Sequence, residues 1–475
     1  MKQSRIVLPV LLVLALLVAL VSCKEGTHTH TYADAWTSDA DYHWHAATCG
    51  HADEVKDKAA HTYENGSCTV CGRAEPEGNL DPSTKLLEYL LLPDGTWSVS
   101  AGRAKLLDKI VIPTTWEGKA VTAISAQGFL NCTNLTSITI PSGVTSIDSG
   151  AFKGCTSLTS ITIAEGVTSI GDEAFSGCTS LTSITIASSV TSIGDEAFSG
   201  CTSLTSITIP EGVTSIGYRA FYDCTSLTSI TIPSSVTSIG KNAFSYCTSL
   251  TSITIAEGVT SIGNWAFSGC TSLTSITIPE GVTSIGNSAF SVCTSLTSIT
   301  IPSSVKSIGS GAFSGCYKLV EVYNLSKLNI TVGLSSYGDV AYYAKVVHTS
   351  KDSASKLKTD AEGYLFYENG DEAYLIGYTG AQTNLTLPEK SSSGKAYDIY
   401  RYAFKGCTSL TSITIPEGVT SIGREAFSVC TSLTSITYSG TKEQWNRIEK
   451  GYGWAYDTGY FVVHCTDGDI AKSDA

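Results

Sequence analysis

The sequence lacks the residue patterns that identify most enzymes. It contains no G-x-S-x-G, no H-E-x-x-H and no phosphate-binding glycine loop, so the common signatures of esterases, metalloproteases and nucleotide-binding proteins are absent. Ser355-Lys356-Leu357-Lys358 fits S-x-x-K, but neither S-D-N nor K-T-G accompanies it, which favours a chance match. We therefore expect a protein that is not an enzyme, and keep a surface hydrolase as an alternative.

Positive charge is also scarce. The 475 residues include 30 Lys and Arg against 43 Asp and Glu, which gives a formal net charge of −13. An acidic chain repels phosphate backbones, so the composition predicts no nucleic-acid partner. With 42% hydrophobic and 15% charged residues, the chain is typical of a polar-rich globular protein and not of a disordered one.

The longest apolar run is too short to span a membrane. It extends from Ile6 to Val21 after Lys2 and Arg5, whereas a spanning helix needs about 20 residues. The run ends in Leu20-Val21-Ser22-Cys23, which resembles the lipobox of bacterial lipoproteins. That resemblance implies a signal peptide over residues 1–22 and a lipid on Cys23, on a bacterial cell surface or outer membrane and facing outward. An ordinary signal peptide with an incidental cysteine is the alternative.

What the chain does contain is a 23-residue repeat. Its commonest form is C-T-S-L-T-S-I-T-I-P-x-x-V-T-S-I-G-x-x-A-F-x-x, and one cysteine starts each copy. These cysteines are Cys132, Cys155, Cys178, Cys201, Cys224, Cys247, Cys270, Cys293 and Cys316, with a second run at Cys407 and Cys430. A fixed period of this size predicts a solenoid whose coils bury their apolar residues against neighbouring coils. The repeating cysteines indicate a column of buried thiols, although neighbouring coils are close enough for disulfides.

Each unit predicts two short strands and a helical turn. Leu158–Ile163 alternates apolar and hydroxyl side chains, as a strand with one buried face does. Val167–Ile170 is a second extended piece, and Gly171 is expected to bend the chain at positive φ. Asp172–Phe175 is then expected to form the helical turn, with Ala174 and Phe175 inward.

The L-T-S-I-T-I segment matches the L-x-x-L-x-L core of leucine-rich repeats. Because the cysteine precedes the first leucine and each coil closes with I-G-x-x-A-F, the chain resembles the BspA-like leucine-rich repeat proteins from about Leu86 to Ile470. These are surface and secreted proteins of bacteria, also found in some parasitic protists. The resemblance implies a β-rich leucine-rich repeat solenoid that binds extracellular proteins, such as host matrix, host cells or other bacteria.

Residues 23–75 form a separate segment that is rich in cysteine and histidine. Cys68-Thr69-Val70-Cys71-Gly72 is similar to a zinc-ribbon knuckle, which presents two thiolates to one metal. We expect one structural zinc held by His45, Cys49, Cys68 and Cys71, with His51 and His61 as other candidates for the histidine. A single disulfide with a spare thiol, or no cross-link, are the alternatives.

The remaining chain can be divided into segments according to how closely each one matches the 23-residue repeat. The expected parts are a linker (76–84), an N-terminal cap (85–131), regular repeats (132–316), degenerate repeats with a β-hairpin (317–406), regular repeats (407–437), and a C-terminal cap and tail (438–475). In the cap, Thr441 is expected to be the N-cap of a short helix.

Most positions of the unit are identical from copy to copy and therefore specify stacking. Apart from the residues that follow I-T-I, variation is concentrated in the two residues after Ile-Gly and the two before Cys. Three successive coils carry large side chains there: Tyr218, Arg219, Tyr222, Lys241, Tyr246 and Trp265. Because Tyr, Trp and Arg are enriched at binding hot spots, we predict that these six residues form a protein-binding patch; scattered surface aromatics are the alternative.

A different surface offers an alternative function. Ser160 and Thr162, then Ser183 and Thr185, begin columns of hydroxyl groups on the strand faces. Regular hydroxyl arrays occur on ice-binding solenoids, so ice or carbohydrate binding is the alternative to protein binding. Such columns are also ordinary solvated strand faces.

Overall fold

The computed structural model describes residues 81–472 and five short strands before them. Those strands are Tyr32–Ser38, Tyr42–Ala47, Val55–Ala60, Tyr63–Glu64 and Ser67–Cys68. The first three form one antiparallel sheet and the last two form a hairpin. Cys23 and the apolar run before it lie outside the described residues.

The first strand of each coil contributes to parallel ladders along one side of the solenoid. Ser160, Ser183 and Ser206 pair directly with one another in successive coils, because identical units stack without a shift of register. The strands on this side are Lys109–Val111, Ser137–Thr139, Ser160–Thr162, Ser183–Thr185, Ser206–Ile207, Ser229–Ile232, Ser252–Ile255, Ser298–Ile301, Glu321–Asn324 and Val346–His348.

The second strand of each coil builds a 12-stranded sheet on another side. It begins with the antiparallel pair Glu88–Leu91 and Trp97–Ser100 in the N-terminal cap. The remaining strands are Thr115–Trp116, Lys119–Ile124, Ser146–Ile147, Ser169–Ile170, Ser192–Ile193, Ser215–Ile216, Ser238–Ile239, Ser261–Ile262, Ser284–Ile285 and Ser307–Ile308. Two 3-10 turns in the cap, Pro82–Leu86 and Gly102–Leu106, complete this end.

Columns of identical side chains fill the space between the two sides. The phenylalanine rings from Phe129 to Phe313 stack with centroids 5.1 to 5.4 Å apart, a contact worth about 0.5–1.5 kcal/mol per pair beyond burial. Beside them, the cysteines from Cys155 to Cys316, and Cys430, donate their thiol hydrogens to the phenylalanine carbonyl 26 residues earlier, as in Cys155 Sγ to Phe129 O at 3.1 Å. The twelve cysteines in the described part of the chain are free thiols, which confirms the thiol column.

Two expectations about the turns are wrong. Residues 172–175 form hydrogen-bonded turns, not a helical turn, because Glu173 has φ of 55° and leaves the right-handed helical region. Gly171 has no positive φ; instead, a Cβ atom on it would lie 2.7 Å from the backbone of Ser149 in the preceding coil. The glycine is therefore needed for close stacking of coils.

A second body follows the long array. One apolar core runs from Leu87 to Ala344 and another from Tyr364 to Ile470. The second body contains a six-stranded and a five-stranded sheet. Their strands are Leu357–Thr359, Tyr364–Asn369, Glu372–Tyr378, Asp398–Ile399, Ser421–Ile422 and Glu449–Lys450, then Asn384–Thr386, Ser412–Ile415, Ser435–Tyr438, Val462–Cys465 and Gly468–Ala471.

The short elements of this body agree with the sequence analysis. Tyr364–Asn369 and Glu372–Tyr378 form the expected antiparallel hairpin. The helix Lys442–Arg447 begins at Thr441, whose side chain accepts from the backbone N–H of Gln444 in a capping box. A one-turn 3-10 segment, Tyr337–Asp339, lies near the end of the first body. Within the described residues, no helix has the length and apolar character needed to cross a bilayer.

Candidate functional site

One edge of the solenoid carries the aromatic and most of the basic residues that differ among coils. We call it the edge strip, defined in each coil by the two residues after Ile-Gly and the two before Cys. In most coils its polar residues serve the stacking: Asp172 Oδ1 accepts the backbone N–H of Asp195 at 2.8 Å, and Asp195 Oδ1 accepts that of Tyr218 at 2.6 Å. These acids cap the backbone of the next coil.

The structure brings the six predicted patch residues into one unbroken chain of contacts. Tyr246 meets Tyr222 edge to face at 5.6 Å, and the guanidinium of Arg219 lies 4.9 Å from the Tyr222 ring centroid and 5.0 Å from that of Tyr218. Lys241 Nζ then lies 5.8 Å from the Tyr218 ring and 5.3 Å from the Trp265 ring. We call this set the aromatic patch: Tyr218, Arg219, Tyr222, Lys241, Tyr246 and Trp265.

The aromatic and basic residues of the regular array are concentrated in these three coils. Tyr218, Tyr222, Tyr246 and Trp265 are all the tyrosines and tryptophans of the eight coils between Cys132 and Cys316. The same stretch has only four basic residues, Lys153, Arg219, Lys241 and Lys306, and two of them are in the patch.

Large side chains stand here at backbone positions that disfavour them. Arg219, Tyr246 and Trp265 have φ of 50°, 62° and 54°, in the left-handed region that costs a non-glycine residue about 1–2 kcal/mol. Other coils put glycine at the position of Tyr246, including Gly200 and Gly269. Positive φ at these positions is common to the coils, since Glu173 and Glu196 also have φ of 55°, so the patch places large side chains on a backbone conformation that every coil adopts.

The aromatic patch exposes ring surface to solvent, and its cations have contacts within the chain for only part of their hydrogen-bonding groups. Tyr246 and Trp265 are 49% and 38% exposed, a large fraction for aromatic side chains. Arg219 also lies 3.8 Å from the Glu196 carboxylate, while its buried Nε has no hydrogen-bond partner in the described chain. Exposed rings that are held rigidly by cations can bury large area on a partner at small entropic cost.

Sequence reasoning missed the contribution of Gly269. A Cβ atom at this residue would stand 2.8 Å from the ring of Tyr246, so the ring rests on the bare backbone of the next coil. The signal was available in the sequence, because glycine follows tyrosine at the same repeat position, but glycine is too common there to attract notice.

The predicted zinc site remains a prediction. His45 lies in the strand Tyr42–Ala47 and Cys68 in the strand Ser67–Cys68, while Cys49 and Cys71 lie outside the described residues. Among the residues that were described, no three His, Cys, Asp or Glu side chains are grouped to hold a metal.

One buried polar cluster resembles catalytic machinery only in its residue types. Glu321, whose side chain is 1% exposed, pairs with His348 Nε2 at 2.8 Å and accepts a hydrogen bond from Ser355 Oγ at 2.7 Å. In a nucleophilic triad the histidine lies between serine and carboxylate, whereas here the carboxylate lies between the other two. This arrangement holds Ser355 in place and does not activate it.

The hydroxyl columns are present on the strand face. Ser160 and Thr162 are exposed and pair in register with Ser183 and Thr185. The neighbouring column is used internally, since Thr182 Oγ1 donates to the Thr159 carbonyl at 3.1 Å. Whether the exposed columns bind a ligand stays a prediction.

Comparison with known proteins agrees with this architecture. The BspA type leucine-rich repeat region, in six copies, matches residues 122–251, 237–342 and 377–450, more than half of the chain. A leucine-rich repeat protein of Bacteroides ovatus is similar at 26% identity, over 82% of this chain and 100% of its own, with a TM-score of 0.45.

Two further solved structures are similar. A leucine-rich cell surface protein of Faecalibacterium prausnitzii has 29% identity over 78% of this chain and 97% of its own, with a TM-score of 0.34. A leucine-rich repeat protein of T. pallidum has 26% identity over 50% of this chain and 91% of its own, with a TM-score of 0.35. No curated protein matches. On the family match, the chain belongs to the BspA-type leucine-rich repeat proteins.

Proposed function

We propose that this protein is a non-catalytic surface protein that binds other extracellular proteins through the aromatic patch. The observation that carries the proposal is the continuous contact chain from Tyr246 to Trp265, which contains every tyrosine and tryptophan of the eight coils between Cys132 and Cys316. Family membership supports a repeat-based binding role. The lipobox-like Cys23 supports display on a bacterial surface, with the solenoid facing outward.

The chemistry of the patch favours a protein partner over ice. Ice recognition needs a flat, regular surface, whereas the patch is irregular, aromatic and cationic. Trp, Tyr and Arg are the residues on which protein interfaces concentrate their free energy. A thermal-hysteresis measurement tests the hydroxyl columns separately, because the patch variant below leaves them intact.

The proposal is tested with immobilised host matrix proteins (fibronectin, laminin, fibrinogen and collagen) and the purified chain in a surface plasmon resonance assay. A variant with Tyr218→Ser, Tyr222→Ser and Trp265→Ser removes patch area without touching the buried columns. We expect its affinity for the protein that binds to fall at least about thirtyfold, since one hot-spot truncation costs about 2 kcal/mol or more.

The matched control carries Leu90→Ser and Leu106→Ser, two apolar residues that are 65% and 79% exposed in the N-terminal cap. This variant loses exposed apolar surface elsewhere and should keep full affinity. Binding by no matrix protein at about 10 μM, or equal affinities for the patch variant and the control, would contradict the proposal.

A further inference from the structure

The edge strip carries a second group of aromatic and basic residues in the C-terminal body. Tyr402 and Lys405 occupy strip positions in the coil before Cys407, and Arg424 occupies one in the next coil. Tyr452 and Tyr456 follow one coil further, where the backbone of residues 425–429 bonds to that of residues 452–456. We call this set the distal cluster: Tyr317, Tyr402, Lys405, Arg424, Tyr452 and Tyr456.

Its contacts repeat the chemistry of the aromatic patch. Tyr317 stacks on Tyr402 with centroids 4.1 Å apart, and Lys405 Nζ lies 4.7 and 5.1 Å from those two rings. Glu425 links the two cations of the cluster, because its carboxylate lies 2.5 Å from Lys405 Nζ and 3.2 Å from Arg424 Nε. These hydrogen bonds, led by that of Lys405, lower the pKa of Glu425.

The outer end of the distal cluster is open. The Arg424 guanidinium lies 5.5 Å from the ring centroid of Tyr452. Tyr452 and Tyr456 are 81% and 71% exposed, whereas Tyr402 is 6% exposed. The inner tyrosines therefore pack the meeting point of the two bodies, and the outer pair offers its surface to a partner.

Between the aromatic patch and the distal cluster, the edge strip carries small side chains; we call this stretch the track. The position of Tyr246 is taken in the next three coils by Gly269, Val292 and Gly315, and Gly315 lies two residues before Tyr317. Three coils correspond to about 14 Å at the spacing of paired strands. The strip positions from Ser268 to Gly315 hold only glycine, serine, asparagine and the 44% exposed Val292, so no aromatic or charged side chain stands along this stretch.

The charges along this path indicate what the track holds. The chain is acidic overall, with a net charge of −13, yet the two groups place Arg219, Lys241, Lys405 and Arg424 along one path. Glu196 and Glu425 neutralise part of that charge. A partner with carboxylates complements the rest, and a partner with aromatic side chains finds the open faces of Tyr246 and Tyr452.

We propose that the edge strip holds one extended, carboxylate-bearing polypeptide at two points, the aromatic patch and the distal cluster. The path from Tyr246 comprises three coils to Gly315, one to the turn at Gly338, one to Tyr402 and about two more to Tyr452. This is roughly 34 Å, which an extended chain of about ten residues covers. This inference rests on the proposed function, because it assigns the same surface a partner and a second contact.

The probe is a glutamate-tyrosine copolymer, prepared as a long form of about 20 residues and a short form of about five, of which only the long form can reach both groups. We expect the protein to bind the long form at least tenfold more tightly, since the second contact forms at high effective concentration. Tyr452→Ser with Tyr456→Ser should abolish that difference and leave the short form's affinity for the aromatic patch unchanged.

Two coil deletions provide a geometric test. Removing residues 270–292 takes one coil out between the two groups, and removing residues 155–177 takes an equivalent coil out on the N-terminal side of both. Each deletion joins a residue before Cys to the next Cys, so the repeat continues in phase. The first should change the affinity for the long form several-fold by shifting the two contacts about 4.8 Å; the second should not.

The outcomes separate this inference from the proposed function. If the long and short forms bind equally and Tyr452→Ser with Tyr456→Ser changes neither affinity, the two-point surface is wrong although the aromatic patch stands. If the patch variant with Tyr218→Ser, Tyr222→Ser and Trp265→Ser binds both forms as well as the unchanged protein, the aromatic patch itself is wrong. Failure of the protein to bind either form overturns the assigned partner chemistry.

Discussion

The ring of Tyr246 lies over Gly269, the residue at the same position of the next coil, and a Cβ atom on residue 269 would approach its Cδ1 to 2.8 Å. The tyrosine in turn meets Tyr222 of the preceding coil at 5.6 Å. A single side chain thus extends across three coils, and it does so because the third coil has no side chain at that point.

Gly269→Ala is predicted to displace the Tyr246 ring and weaken partner binding, by about tenfold if the Tyr246 contact is worth 1.4 kcal/mol. The substitution also costs about 1 kcal/mol because residue 269 has φ of 76°. Gly200→Ala is the matched control, since residue 200 has φ of 71° but only the backbone of Gly177 nearby, at 3.7 Å. Equal binding losses in the two variants would show that strain, and not the ring, is responsible.

The buried thiol column predicts loss of stability in alkali. Burial raises the pKa of the Cys201 and Cys430 thiols to about 12, whereas an unfolded cysteine titrates near 8.5. Between these pH values the unfolded chain releases protons that the folded chain retains, so stability is full below about pH 8.5 and falls as pH rises towards 12. Each such thiol contributes a slope of about 1.4 kcal/mol per pH unit.

Urea unfolding at pH 7, 8, 9 and 10 measures this slope. Cys201→Ala with Cys430→Ala should be less stable at pH 7 because it leaves two cavities, yet should lose stability less steeply above pH 8.5. Iodoacetamide should label Cys465, which is partly exposed, before the column. A variant slope as steep as that of the unchanged protein would show that these thiols do not carry the effect.

The sequence allowed the columns and the patch to be predicted for the same reason. Identical units stack in register, so any residue position in one coil has a known neighbour in the next, and Lys241 could be placed near Tyr218 and Trp265 without coordinates. Local backbone was less predictable. The I-G-x-x-A-F turn contains Glu173 at positive φ. The residue type does not predict this conformation, because glutamate prefers the right-handed region.

The distal cluster escaped prediction because its coils are degenerate. Tyr317 and Tyr402 are 85 residues apart in the sequence, and the intervening segment departs from the 23-residue period. Their rings stack at 4.1 Å only because the second body returns the chain to the same edge. Repeat position alone places Tyr402 on the edge strip, next to Ala403 and Phe404, but does not indicate its partner.

The N-terminal cysteine gives a separate prediction. If Cys23 is the lipidated residue, mass spectrometry of the protein isolated from membranes should find a diacylated cysteine at the mature N-terminus. Cys23→Ser should release the protein into the soluble fraction, since the anchor supplies the membrane affinity. An unmodified N-terminus at Lys24 or later contradicts the anchor, and leaves the solenoid's binding role unaffected.

The proposed zinc site predicts one metal per chain. Zinc ligands must be deprotonated, so zinc content measured by elemental analysis should fall as the pH is lowered through the range where His45 and the thiolates protonate. Cys68→Ser with Cys71→Ser should abolish binding, while His61→Ala, if His45 is the fourth ligand, should not. A metal-free protein in which Cys49 forms a disulfide with Cys68 or Cys71 would rule the site out.

The most direct test of the aromatic patch changes one side chain to the residue that other coils already use. Tyr246→Gly removes a left-handed tyrosine that costs about 1–2 kcal/mol and an edge contact worth about 0.5–1.5 kcal/mol, so the melting temperature should shift by only a few degrees. The measurement is the variant's affinity for the bound matrix protein, beside its melting curve. We predict an affinity loss of at least tenfold with the fold intact; undiminished affinity would contradict the assignment of this patch as the binding surface.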